Sequence, residues 1–170
     1  MTIEHGSFFR LILTPNLCVS HNAHTDSHIL QAMRVLLGVL CRFREEEIAI
    51  MCDIEQMFYQ FKVDENHRNF LRFLWWDKGN CDVAPTEYRM NVHLFGAASS
   101  PGCANFGLKR IASDNEAKYG SDVVHFIHRN FYVDDGLKSV SSTSEAIDLV
   151  NRAQGICSEG GVHLHTFVSN

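Results

Sequence analysis

The stretch Phe131-Tyr132-Val133-Asp134-Asp135-Gly136 decides the fold that we predict for this chain. Residues 123–133 and 137–140 both have the composition of strands, and Asp-Gly between two such runs favours a tight hairpin turn. The hairpin would carry the carboxylates of Asp134 and Asp135 side by side at its tip. An Asp-Asp-Gly turn is also common on solvated surfaces, so the turn alone does not indicate a function and other parts of the chain are needed as evidence.

A third acidic residue follows a buried strand earlier in the chain. Residues 48–52 form a short apolar run that ends in Asp53, which is the pattern of a central strand with a carboxylate at its end. If this strand lies beside the hairpin, three carboxylates meet in one small site. At about 4 Å each such pair repels by about 4 kcal/mol at an effective dielectric constant near 20, so the cluster needs a cation. Hard oxygen ligands suit Mg²⁺.

The remaining patterns predict an α+β fold, a mostly antiparallel sheet with helices packed on one face. Ser100-Pro101 is typical of a helix start, and residues 142–145 read as a capping box. The other predicted elements are an amphipathic helix over 27–42, a hairpin of 70–76 and 88–94, helices over 100–119 and from 142 to Gly160, and a last strand over 162–168.

Composition limits the possible classes of protein. The chain has 170 residues, 45% of them hydrophobic, which is enough for one domain with its own core. Its net charge of −5 argues mildly against a stand-alone nucleic-acid binder, so any surface that binds a template must be local. The six cysteines form no CxxC pair, and no leader or long apolar run is present; we expect a reducing, intracellular setting without a membrane.

Four motifs carry a resemblance to a known family. Residues 131–135 are similar to the Tyr-x-Asp-Asp box of reverse transcriptases, and Ala49-Ile-Met-Cys-Asp-Ile-Glu-Gln-Met-Phe-Tyr-Gln60 resembles the first palm motif of BEL/Pao elements. Residues 70–76 and 88–105 agree with that family in order and spacing. Gly160-Gly161 and Ser169-Asn170 stand where it carries its primer-contacting segment. From roughly residue 36 to 170 the chain resembles the reverse transcriptase palm of a BEL/Pao-type LTR retrotransposon, part of a Pao polyprotein.

The resemblance implies a nucleotidyltransferase site with two magnesium ions, for which Mn²⁺ could substitute. It assigns the catalytic and metal-binding roles to Asp53, Asp134 and Asp135, with the backbone carbonyl of Ile54 as a further ligand. In this chemistry the primer 3′-OH attacks the α-phosphate of a deoxynucleoside triphosphate and pyrophosphate leaves.

The resemblance also implies a nucleotide pocket and a path for the primer and template. Phe58 stands at the steric-gate position, where a bulky ring excludes a ribose 2′-OH; the alternative is an ordinary core Phe. The residues assigned to the nucleotide are Phe58, Tyr59, Phe95, Gly96 and Pro101. We expect Gly96 to allow close approach of the backbone. Tyr132 is assigned to the primer terminus and Arg72 to phosphate or template backbone, although a solvated strand Arg explains Arg72 equally well.

Two functions follow as hypotheses. The first is an RNA-directed DNA polymerase core whose partners are an RNA template, a DNA or RNA primer, dNTP and the rest of the Pol polyprotein (protease, thumb, RNase H and integrase). The second is a catalytically inactive fragment of a decayed retroelement that binds RNA or protein. We predict an irregular N-terminal segment over residues 1–35, a remnant of the fingers, and a palm domain over 36–170 without thumb or RNase H. The family implies cytoplasmic virus-like particles and later nuclear delivery of DNA.

Histidine-rich stretches receive structural interpretations. Cys18, His21, His24 and His28 have no second Cys/His pair that would complete a tetrahedral zinc site, so the role of this segment stays open. The remaining alternating histidines are interpreted as partly exposed sheet residues without a catalytic role; they are His125, His128, His163 and His165.

Overall fold

The computed structural model describes the backbone of residues 25–170 and the side chains of residue 30 and residues 33–170. The prediction for residues 1–24, and the side chains of the Cys18 to His28 group, lie outside this part. The described residues form two compact units, one of Lys62–Asn91 and a larger one of residues 25–61 and Val92–Asn170. The predicted domain boundary at residue 35 falls inside a helix, so the fingers interpretation of residues 1–35 stays a prediction.

The described part of the chain contains both α-helices and β-strands. The α-helices are α1 (Thr25–Arg42), α2 (Met57–Gln60), α3 (Ser100–Asp114), α4 (Glu116–Tyr119), α5 (Ser121–Arg129) and α6 (Thr143–Glu159). The strands are β1 (Ile48–Ile54), β2 (Arg72–Trp75), β3 (Thr86–Arg89), β4 (Phe131–Tyr132), β5 (Asp135–Val140) and β6 (Leu164–Ser169). Two 3₁₀ turns, Glu65–Leu71 and Asp77–Gly79, flank β2.

The larger unit is an antiparallel sheet with helices packed on one face, as predicted. Its strand order is β4-β5-β1-β6, which makes β1 and β5 the central strands. Helices α3, α5 and α6 pack against one another, and α6 also contacts β1, β5 and β6. The largest fully buried side chains of this core include Ile54, Leu108, Ile127 and Ile156. Each such side chain contributes about 1.5–3 kcal/mol relative to full exposure, so the core fixes the sheet that carries the site.

Two sequence predictions about helices are confirmed. Helix α1 covers the predicted range 27–42. Helix α6 begins after Ser142, whose hydroxyl accepts a hydrogen bond from the N–H of Glu145 (3.3 Å), and it ends at Glu159, before the glycine pair. No helix in the part of the chain that the structure describes is long and apolar enough to cross a bilayer.

The strand predicted over residues 123–133 is wrong, because most of it is helix α5. The β-branched residues in this stretch suggested a strand, but the buried positions Val123, Val124, Phe126 and Ile127 follow the spacing of one helical face. The strand is confined to β4, two residues long. Tertiary burial therefore outweighs intrinsic β-propensity here.

The turn of the acidic hairpin is also displaced from its predicted place. Phe131 pairs with Gly136 and Tyr132 with Asp135, so the two turn residues are Val133 and Asp134. Gly136 lies within β5. A Cβ at this glycine would stand 2.6 Å from Cys52 Sγ and 2.6 Å from the ring of Phe131. The glycine is thus required by close packing between strands and not by the turn.

The predicted helix over 100–119 is two helices that meet at Asn115. The side-chain amide of Asn115 donates to the carbonyl of Ile111 (2.9 Å), which closes α3 before α4 begins. Ser100 is the first residue of α3 and not its N-cap, which is Ser99. The Ser100 side chain is 1% exposed, and its hydroxyl lies 3.5 Å from His93 Nδ1.

In the smaller unit, β2 and β3 form the predicted hairpin, with bounds that differ from the predicted ones. Phe73 pairs with Tyr88, and their rings stack with centroids 5.7 Å apart. This aromatic pair stabilises the observed register, since cross-strand aromatic contacts favour antiparallel pairing. The returning strand is therefore Thr86–Arg89 and not residues 88–94, and residues 70 and 71 belong to the preceding 3₁₀ turn.

Candidate active site

The three predicted carboxylate residues lie at one end of the two central strands. Asp53, near the end of β1, stands directly opposite Asp135, the first residue of β5. The N–H of Ile54 donates to the carbonyl of Asp134 (3.0 Å), which fixes the hairpin turn to the end of β1. The backbone therefore holds Asp53, Asp134 and Asp135 together. Whether the carbonyl of Ile54 binds a metal stays a prediction.

The pKa of Asp135 shows that the negative charges of the three residues repel one another. Partial burial, and then the negative charges of Asp134 and Asp53, raise the pKa of Asp135 above its ordinary value. A divalent cation would relieve this repulsion, and carboxylate oxygens are its preferred ligands. The donor set thus fits Mg²⁺ in chemistry. Among the described residues, however, no three His, Cys, Asp or Glu side chains already converge as a metal-binding group.

The carboxylate of Asp53 faces a residue to which the sequence analysis gave no role. His165 on β6 pairs with Asp53 across the sheet, and its Nε2 lies 2.8 Å from Asp53 Oδ2. Its Nδ1 contacts the hydroxyl of Thr166. The alternating His163 and His165 indicated a strand, but only the register between β6 and β1 shows which of them meets the acidic site.

The turn that joins β4 and β5 has a strained backbone at Val133. Val133 has φ 57°, a left-handed conformation that β-branched residues disfavour. Such a residue costs about 1–3 kcal/mol and persists only where its surroundings fix it. Here the side chain of Val133 packs against the core, and both flanking strands are paired. Strain of this kind clusters at functional sites.

Two residues next to the acidic ones, Cys52 and Phe131, are buried in the core. Burial, and then the neighbouring Cys157, raise the pKa of the Cys52 thiol to about 12. The thiol is therefore neutral at physiological pH. The Phe131 ring packs against Phe126 with centroids 5.3 Å apart. These buried residues pack behind the site, and the neutral thiol supplies no nucleophile.

The residues assigned to the nucleotide lie on two segments of the same unit. Phe58, in α2, is half-buried against the core, and its ring centroid is 6.1 Å from that of Phe95. Phe95 is 86% exposed, and Tyr59 is also exposed. Phe58 thus packs on the core and still contacts an exposed aromatic ring, as a pocket wall would.

The backbone conformation at Gly96 itself favours glycine, and its predicted approach to a nucleotide stays a prediction. Its φ is 88°, which L side chains rarely adopt, yet a Cβ there would meet no atom within 4 Å. Backbone conformation, and not a close approach within the chain, therefore accounts for the glycine.

An open basic groove of about 1240 Å³ runs beside the hairpin. Pro101, in the first turn of α3, and Tyr132, in β4, both line it, so two predicted site residues share one surface. None of the lining residues is acidic, although the whole chain has a net charge of −5. Its permanently charged cations are Arg34, Arg42, Lys109 and Arg129. We call this surface the basic groove.

Arg72 lies in the smaller unit and is engaged there. Its guanidinium is 3.2 Å from the carboxylate of Glu87 on the paired strand, and both side chains are about half exposed. This ion pair explains the residue without a ligand. Its assignment to phosphate or template stays a prediction.

Replacing Asp135 with Asn is expected to stabilise the metal-free fold at neutral pH. The raised pKa means that ionising this carboxyl opposes folding, so the gain is full above the folded-state pKa and disappears as acid protonates the group. The gain should stay below about 1 kcal/mol because most of the Asp135 side chain is in contact with solvent, which screens the repulsion. Urea unfolding at pH 7.5 and pH 3.5 measures it. An Asn variant less stable than the wild type at pH 7.5 would contradict the electrostatic account.

Comparison with known proteins places the fold but not the family. No protein-family model matches the chain, and no curated protein matches it. Among solved structures, it is similar to the foamy viral protease-reverse transcriptase in complex with an RNA/DNA hybrid, with a TM-score of 0.54 and 19% identity. The match covers 75% of this chain and 15% of that chain. Over the matched part the chain has a reverse-transcriptase-like fold.

Proposed function

We propose that this chain is the palm of an RNA-directed DNA polymerase from a BEL/Pao-type retroelement. The observation that carries the proposal is the register that sets Asp53 opposite Asp135, with the Asp134 carbonyl bound to the amide of Ile54. The palm motif around Asp53 and the Tyr-x-Asp-Asp box thereby meet at one end of a sheet with a reverse-transcriptase-like fold. The BEL/Pao assignment rests on the amino-acid sequences of these motifs.

The proposed reaction joins the primer 3′-oxygen to the α-phosphorus of a dNTP while the bond to pyrophosphate breaks. Asp53, Asp134 and Asp135 would hold two Mg²⁺ ions, which when bound neutralise the phosphate oxygens and activate the 3′-OH. The residues of the chain supply position. The paired strands fix the backbone of Asp53 and Asp135, and the Phe58 and Phe95 rings would bound the sugar side of the pocket.

The basic groove is the proposed path for the nucleic acid. It adjoins the hairpin through Tyr132, and its cations face no acidic lining residue. Phosphate contacts supply most of the sequence-independent affinity of such complexes. The structural neighbour was solved with an RNA/DNA hybrid, which agrees with a hybrid as the ligand.

Lys109→Ala is expected to weaken binding of an RNA/DNA hybrid and to reduce the slope of log K against log salt concentration by about 1, the value for one lost phosphate contact. Fluorescence anisotropy at several KCl concentrations measures both. Arg110→Ala is the matched control, because its guanidinium is engaged by Asp114 (2.8 Å) and does not line the groove. Equal slopes for the two variants would remove the groove from the proposed path.

A second candidate is a catalytically inactive fold that binds RNA or protein. Two observations favour it: His165 engages the Asp53 carboxylate, and among the described residues no three His, Cys, Asp or Glu side chains already form a metal-binding group. Incorporation of dTTP on poly(rA)/oligo(dT) separates the two candidates. Mg²⁺-dependent incorporation that EDTA abolishes supports the polymerase. Hybrid binding without incorporation, in Mg²⁺ or Mn²⁺, supports the inactive fold.

A further inference from the structure

We propose that His165 is a positioning residue that orients the metal ligand Asp53. The inference rests on the proposed function and names a residue outside the carboxylate set. His165 Nε2 lies 2.8 Å from Asp53 Oδ2, so its N–H would donate to that oxygen and Oδ1 would remain as the oxygen that holds a cation. Fixing one oxygen of the carboxylate in this way selects one orientation of a side chain that otherwise rotates.

The contact arises from the register of the edge strand. Strand β6 pairs with β1 antiparallel, with His165 opposite Asp53, and the register shifts between Met51 and Asp53. An irregularity of this kind re-aims the side chains beside it. The shift thus brings His165, rather than a neighbour along β6, against the carboxylate.

Several contacts hold the imidazole in place. The hydroxyl of Thr166 contacts Nδ1, so both ring nitrogens are engaged. Upstream, the N–H of Glu55 donates to the carbonyl of His163 (3.0 Å), and the side chain of Gln60 accepts from the N–H of His163 (2.7 Å). These bonds tie the start of β6 to the segment that follows Asp53. The geometry does not depend on the imidazole charge, since Nε2 can carry a hydrogen in either protonation state.

A purely structural role explains the contact poorly. The side chains of His165 and Asp53 are 46% and 36% exposed, and exposed pairs of this kind contribute little to stability. Residues that hydrogen-bond a metal-binding carboxylate orient it, and losing one typically weakens metal binding about 10–100-fold. The position of His165 beside one oxygen of Asp53 matches that role.

The test is Mn²⁺ binding, followed by electron paramagnetic resonance on the whole chain. His165→Ala is expected to raise the Kd for Mn²⁺ about 10-fold or more, and His165→Gln, whose amide can still donate to Asp53, should recover most of the affinity. His163→Ala is the matched control and should bind like the wild type. Urea unfolding of the metal-free chains should be nearly the same for all four.

The outcomes separate this proposal from the proposed function. If the wild type binds Mn²⁺ and Asp53→Asn does not, the metal site stands; unchanged or tighter binding by His165→Ala then overturns the role of His165 alone. If the wild type itself binds no Mn²⁺, the metal site and the positioning role fall together. A loss in His165→Ala that His165→Gln does not recover at all would overturn the hydrogen-bonding account.

Discussion

Asp134→Asn is expected to reduce Mg²⁺-dependent nucleotide incorporation by about 10²–10⁴-fold, because charge stabilisation by a bound metal is worth several kcal/mol and each 1.36 kcal/mol is tenfold in rate. Asp134 lies in the turn that the amide of Ile54 fixes against β1. Asn keeps the shape of the side chain and removes its charge. The backbone carbonyl that bonds Ile54 is unaffected, so the fold should remain intact. Single-nucleotide incorporation at saturating primer–template measures the effect.

Asp82→Asn is the matched control for this change. Asp82 is exposed in the smaller unit and belongs to no predicted site. The Asp82→Asn substitution removes the same charge from the same residue type. It should leave the incorporation rate within about twofold of the wild-type rate, since isolated surface charges contribute little. Hybrid binding should persist in both variants. A rate for Asp134→Asn that stays close to that of Asp82→Asn would contradict the assignment of this carboxylate to the metals.

Gly136→Leu is expected to cost the fold at least about 2 kcal/mol in free energy of unfolding. In this structure a Cβ at position 136 would stand 2.6 Å from both Cys52 Sγ and the Phe131 ring, and both of those side chains are only 3% exposed. Neither neighbour has room to move aside, so the strands would have to separate next to Asp135. Urea unfolding followed by circular dichroism measures the loss.

Gly102→Leu provides the control for the added side chain. A Cβ at Gly102, in the first turns of α3, meets no atom within 4 Å, so this variant should unfold at or above the wild-type urea concentration. A second variant tests the cause. Gly136→Ala should be less destabilising in a Phe131→Leu background than in the wild type, because Leu lacks the ring atoms that obstruct the added Cβ. Equal stability of Gly136→Leu and Gly102→Leu would refute the packing explanation for Gly136.

The sequence predicted the meeting of the acidic residues because each follows a distinctive local pattern. Asp53 lies near the end of an apolar strand, as its local pattern predicted, and the Asp pair belongs to a hairpin, although the turn residues are Val133 and Asp134. Helix α6 was predicted equally well, since a capping box and a glycine pair mark its two ends. The signals for β1 and α6 depend on neighbouring residues alone, and the structure agrees with them.

The features that the sequence did not predict depend on contacts between distant residues. Val123 and Val124 favour strands, yet they are buried on one face of α5. Gly136 suggested a turn residue, but its role depends on Cys52 and Phe131 from two other strands. The contact of His165 with Asp53 requires the register shift between β1 and β6, which no local pattern encodes.

The central claim is that Asp53, Asp134 and Asp135 form a divalent metal site, and anomalous diffraction from crystals grown with Mn²⁺, primer–template and a non-hydrolysable dNTP tests it most directly. The account predicts anomalous density about 2.0–2.2 Å from carboxylate oxygens of Asp53 and Asp134, with His165 still bonded to the other oxygen of Asp53. Anomalous density elsewhere on the protein, with the three carboxylates free of metal, would contradict it.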